Sequence, residues 1–208
     1  MITLEKVYRQ EGENQNQNKF CQLLTNIRDT QPKIDDWKLR MSCITCNIPK
    51  NINDDFDNNV HLFSTNHNVH KHNRRKLHSL QEPVACVIST KLSNYISIDD
   101  NCVDELDIEL LISRRSRVML TRNLWIEASL VNEVLGYVEE IVYKPGSGPP
   151  QLPLYVMVKF DAYSGFPFNN EHPKVVPVSA IQRGSTTQML LRLAWALTIH
   201  KSQGLTLE

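Results

Sequence analysis

From Arg117 onward the chain is written in short β-type runs: Arg117-Val-Met-Leu-Thr121, Gly136-Tyr-Val-Glu-Glu-Ile-Val-Tyr143 and Leu154-Tyr-Val-Met-Val-Lys-Phe160. Each is too short for a stable helix and rich in β-branched or aromatic residues, the composition of strands. Between the second and third lies Lys144-Pro-Gly-Ser-Gly-Pro-Pro-Gln-Leu-Pro153. Its prolines have no N–H for a ladder, so this segment must be a loop. Short strands punctuated in this way predict a separate small β-barrel over residues 113–182.

Upstream the pattern is different. Phe20, Leu23, Leu24 and Ile27 recur at helical spacing, and a second short helix can start at Asp35 or Asp36, with Trp37 and the Leu39–Met41 region supplying its apolar side. Residues 1–19, including the low-complexity run Gln10–Lys19, read as a polar linker. Asn51–Asn59 reads as a loop. Val60-His-Leu-Phe63, Ser64-Thr-Asn66 and the following residues form a strand, turn and helix unit, the helix burying Val69, Leu77 and Leu80. Pro83–Thr90 is a second strand candidate, followed by a polar and acidic loop to about Leu106.

With 208 residues and 41% hydrophobic side chains the chain can fill a core. Its 23 Lys and Arg balance its 23 Asp and Glu, so any surface for a polyanion must be local. Residues 67–78 carry no acid and place Lys71, Arg74 and Arg75 within one or two helical turns; a solvated helix face is the alternative to a nucleic-acid contact there. Five irregularly spaced cysteines with no apolar leader point to a reduced intracellular protein. No stretch reaches the roughly 18 apolar residues of a membrane span, and no membrane partner is expected.

Cys43-x2-Cys46 followed by His61 and His67 matches the generic two-Cys, two-His zinc spacing. No helix pattern leads into His61, and histidines are dense in this region, so free thiols and surface imidazoles are favoured over a metal site. Gly-x4-Gly-Lys-Ser/Thr is absent, and the prolines after Gly146-Ser-Gly148 remove the N–H donors that would cradle phosphate. Asp104-Glu105 lies in the acidic loop rather than at a strand end, so no magnesium-holding pair is expected. These 208 residues hold no engine for nucleotide hydrolysis, and the chain alone is expected to be inactive. Thr198-Ile-His-Lys-Ser-Gln-Gly204 is unlike a core segment: it lines up a hydroxyl, an imidazole, an ammonium and an amide, all suited to phosphate oxygens.

Leu193-Ala-Trp-Ala-Leu-Thr-Ile-His-Lys-Ser-Gln-Gly-Leu-Thr-Leu-Glu208 resembles motif V of the Pif (petite integration frequency) family of ATP-dependent DNA helicases, in superfamily one. Arg117–Trp125 with Leu130, Asn132 and Gly136–Val138 resembles the family's entry into its inserted barrel. Val60–Asn66 with Val69 and Asn73 resembles its motif IV, although family members often carry arginine where this chain has Asn66. The similarity spans about residues 20–208.

This resemblance implies an α/β fold: part of the second RecA-like motor domain of a P-loop helicase, with an inserted small β-barrel. Residues 20–59 would end the first motor domain; 60–112 and 183–208 would belong to the second, flanking the barrel. It implies single-stranded DNA as partner, with Thr198, His200, Lys201 and Ser202 contacting the strand. Gln203, Gly204, Thr65 and Asn66 would couple to the nucleotide cleft. ATP and magnesium would serve only alongside the absent Walker motifs, in cis with a first motor domain. Such a chain is expected to be a piece of a 5′ to 3′ helicase of DNA repair, recombination and telomere maintenance, in the nucleus or the mitochondrion. A stand-alone single-stranded nucleic-acid-binding or interaction module and an inactive relic of a transposon-borne helicase are the alternatives.

Overall fold

The computed structural model describes residues 15–44, 47–48, 56, 59–91, 109–168, 172–184 and 186–202. The chain divides into two compact units, residues 1–59 and 60–208.

In the first unit, helices α1 (Gln15–Arg28) and α2 (Ile34–Ser42) are joined by a short turn with Thr30 in the left-handed region. Helix α1 begins inside the stretch expected to be linker. Two expectations about its packing are corrected. Leu23 is buried, but Phe20, Ile27 and Trp37 are exposed, while Asn26 and Asp36 are interior. The reason is a polar staple: Asp36 Oδ2 accepts the Lys33 N–H and the Asn26 side-chain amide, each at 2.8 Å, and Gln22 donates in turn to Asn26. A carboxylate satisfied in this way can lie in the interior while Trp37 stays exposed.

The second unit opens with strand β1 (His61–Phe63) and helix α3 (Asn66–Ser79), capped by Thr65, whose hydroxyl accepts the Asn68 N–H at 3.4 Å. The barrel follows. Its main sheet is five-stranded, in the order β11 (Leu191–Leu193), β5 (Arg117–Leu120), β6 (Leu135–Val142), β7 (Tyr155–Phe160), β8 (Val175–Val178). Antiparallel β2 (Ala85–Ile88) and β4 (Glu109–Ile112) form a second ladder. The third is β3 (Thr90–Lys91), β10 (Thr186–Gln188) and β9 (Ile181–Arg183).

Alternation along these strands fills one core, in which Val87, Ile112, Val118, Leu120, Val138, Val156, Val158, Phe160 and Val178 are almost wholly buried. This core also takes in residues outside 113–182, Ala85 and Val87 of β2 and Leu110 and Ile112 of β4. Gly136 allows β6 to approach β7, since a Cβ there would stand 2.7 Å from the Lys159 carbonyl oxygen. At the edge, Pro177 in β8 offers no N–H for a further strand.

Only Ala194 and Trp195, both buried, separate β11 from strand β12 (Ala196–Thr198), which returns to pair in parallel with β1. The register matches His61 with Ala196, Leu62 with Leu197 and Phe63 with Thr198. A parallel pair needs a crossover, and here the crossover contains α3 and the whole barrel. Met119, Ala194 and Leu197 close a second small core, flanked by Val60 and Leu135, where barrel meets α/β part.

Candidate nucleic-acid interface

Because β1 and β12 are parallel, both carboxyl ends lie at one edge. In α/β folds that edge is where ligands are met, because loops leaving it carry polar groups beyond the apolar layer. Residues Ser64 to Asn66 leave β1 there. From β12 the chain passes into a 3-10 turn, Ile199–Ser202, which contacts β1 as well. Thr65, Asn66 and His200 are exposed, and Lys201 and Ser202 are half-buried. The Ser202 hydroxyl donates to the Ile199 carbonyl at 2.8 Å, which holds the turn closed.

Thr198 is placed differently from the sequence expectation. It is 9% exposed and lies in β12 opposite Phe63, so its side chain belongs largely to the interior. Gln203 and Gly204 lie outside the described residues. Thr65 acts as the helix cap, and Asn66 opens the first turn of α3.

Two interior polar residues of α3 were missed as core. His72 and Asn73 are buried beside Leu77. Positions 69, 72, 73, 76, 77 and 80 form one helical stripe, so the i, i+3, i+4 spacing pointed at 72 and 73 although their polarity argued against burial. The His72 ring lies 4.4 Å from His61 and 5.5 Å from Phe63, between centroids. Arg75 contacts His72 Nδ1 at 3.3 Å; a guanidinium only donates, so that nitrogen accepts. Asn73 reaches β12: Ala196 N–H donates to its Oδ1 at 2.8 Å, and its Nδ2 donates to Ala196 O at 3.1 Å and Leu193 O at 3.4 Å.

Lys71, Arg74 and Arg75 are exposed on α3. His67 is also exposed, His61 is engaged with His72, Cys43 caps the end of α2, and Cys46 lies outside the described residues. Among the described residues no group of three His, Cys, Asp or Glu converges on a point where a metal ion would sit. None of the described helices is long and apolar enough to cross a membrane.

On the barrel, Arg117 makes a two-pronged ion pair with Asp161, at 3.1 and 2.6 Å, and lies over the Tyr137 ring at 4.4 Å, so this cation is committed to structure. Two neighbouring loops expose Trp125, Ile126, Phe166 and Phe168. They are tied by a 2.9 Å Ser129–Ser164 hydroxyl pair and by Ser164 N–H to Ala128 O at 3.2 Å. The Cys86 thiol is pushed up by burial and by the Glu109 carboxylate that accepts its S–H at 3.4 Å.

No family model matches the chain. It is 32% identical over 120 residues to the ATP-dependent DNA helicase PIF1 of Danio rerio, a match covering 54% of this chain and 17% of that protein. Its structure is similar to the Pif1 helicase of Candida albicans, with a TM-score of 0.70 and 25% identity over 98% of this chain and 48% of that one. It is also similar to Bacteroides Pif1 bound to single-stranded DNA, with a TM-score of 0.58 and 22% identity over 98% of this chain and 43% of that one. The chain thus spans a minor part of each relative. Sequence and fold together relate it to part of a Pif1 helicase, with the α/β, RecA-like architecture of that group.

Proposed function

We propose that this relative of Pif1 helicases supplies the second-motor-domain part of an ATP-dependent, 5′ to 3′ DNA helicase. The observation that carries the reading is the shared carboxyl edge of β1 and β12, where Thr65 and Asn66 stand with His200, Lys201 and Ser202. Donors there suit the oxygens of a DNA backbone on one side and of a nucleotide on the other. With no Walker lysine or magnesium-binding pair in these 208 residues, ATP and magnesium are held by a first motor domain. Phe20, Ile27, Ile34 and Trp37, exposed on α1 and α2, are the apolar surface that the rest of the first motor domain, which these helices would end, would cover. Gln203 and Gly204 complete the coupling segment, and repair, recombination or telomere maintenance in nucleus or mitochondrion is the setting.

The test is an ATPase assay with and without single-stranded DNA. The chain alone gives no turnover; joined to a Walker-bearing first motor domain of a relative, it gives DNA-stimulated turnover that Lys201→Ala reduces. Turnover by the chain alone, or fused turnover indifferent to Lys201, overturns the reading.

The exposed Trp125, Phe166 and Phe168 favour a second reading, a single-strand-binding barrel whose aromatic rings stack on bases. Oligo-dT binding abolished by Phe166→Ala but untouched by changes at His200 and Lys201 would select it.

A further inference from the structure

Strand β12 is held from two sides, and the second holder is not a strand. His61 N–H donates to Trp195 O at 2.8 Å, so the carbonyl of Trp195 points toward β1. Successive residues of a strand point their peptide groups in opposite directions, so the N–H and C=O of Ala196 point away from β1. Both meet the carboxamide of Asn73, at 2.8 and 3.1 Å. A primary amide carries the same donor and acceptor pair as a peptide group, and here it stands where a neighbouring strand's peptide would stand.

We propose that Asn73 is a positioning residue: its carboxamide acts as a one-residue surrogate strand that fixes β12 against α3. The functional part of this inference rests on the helicase reading above. The consequence is geometric. Helix α3 begins at Thr65 and Asn66, and β12 ends at the turn bearing His200 and Lys201. Joining helix to strand at Ala196 locks the two halves of the carboxyl edge into one body. Slippage of β12 by one residue displaces the turn by about 3.3 Å and exchanges the inward and outward side chains. The bond from Asn73 to Leu193 O adds a second point along the chain, which resists such slippage.

The chemistry also says why the residue is asparagine. Aspartate keeps the acceptor for Ala196 N–H but turns its second oxygen toward the carbonyls of Leu193 and Ala196. Leucine has similar volume and leaves both Ala196 groups open in the interior.

The test compares wild type, Asn73→Asp, Asn73→Leu and Val156→Ala, the last a cavity in the barrel core remote from β12. Amide hydrogen exchange is read at Ala196 and through Ile199–Ser202, under conditions where all four are folded. Asn73→Leu, which opens both Ala196 groups, should exchange at least about tenfold faster there than Val156→Ala at matched global stability, roughly the cost of one buried hydrogen bond or more. Asn73→Asp, which keeps the Ala196 N–H acceptor, should also exchange faster but by less. Exchange equal to that of Val156→Ala overturns the positioning role. In parallel, oligo-dT affinity is measured against salt. A reduced salt slope in Asn73→Asp ties the lock to strand contact; a wild-type slope in that variant overturns its link to function. Absence of oligo-dT binding by wild type would sink the helicase reading, while the exchange result still decides what Asn73 does.

Discussion

Replacing Lys201 by alanine removes one ammonium from the carboxyl edge, and the size of the effect follows from the surroundings. Within the turn Ile199–Ser202, Lys201 is the one Lys or Arg side chain. Each phosphate neutralised on a single strand contributes about 0.7 to the slope of log affinity against log salt. Losing one contact therefore lowers the slope by about 0.7, and between about 50 and 200 mM salt the variant loses about 2.6-fold less affinity than wild type. The assay is fluorescence anisotropy with labelled oligo-dT at four salt concentrations. Lys38→Ala, which removes an exposed cation already 3.5 Å from Asp35, serves as the charge-matched control. Thr198→Val should also leave the slope unchanged, because that side chain is buried. An unaltered slope in Lys201→Ala, or an equal change in Lys38→Ala, refutes the assignment.

Gly136→Ala should destabilise the barrel by about 1–3 kcal/mol, since the new Cβ meets the Lys159 carbonyl at 2.7 Å and Val158 Cγ1 at 2.9 Å. An unchanged urea midpoint contradicts that packing. The Lys33 N–H, and after it the Asn26 amide, hold the Asp36 carboxyl below its usual value. A depressed folded-state value stabilises above the unfolded value near 4 and is lost as pH falls through the folded one. Asp36→Asn should therefore flatten the acid loss of α2 protection below about pH 4, and parallel acid curves would argue against the staple. Exposed Cys43 should react with iodoacetamide before Cys86, whose thiol is pushed up by burial and by Glu109; equal rates count against this.

Part of the chain's elements was legible locally, although β4 (Glu109–Ile112) and the start of α1 at Gln15 were not. The β-branched, aromatic and apolar runs in Arg117–Leu120, Leu135–Val142 and Tyr155–Phe160 are a property of neighbours in sequence, and the strands fall where the runs are. The terminal letters from Leu193 carried the family likeness, because donors suited to phosphate have no place in a core. Tertiary structure decided what each polar residue faces. Thr198 and His200 look equally available in sequence, yet β12 must pair with β1, and pairing buries the first and frees the second. Asp36 lies inside while Trp37 lies outside because Asn26 and Lys33 satisfy the carboxylate. Asn73 is 123 positions from Ala196, and no local pattern can announce that a side-chain amide will complete a strand that far away. Burial and hydrogen bonding are settled where two elements meet, so the sequence determined the elements and only the fold determined their meeting.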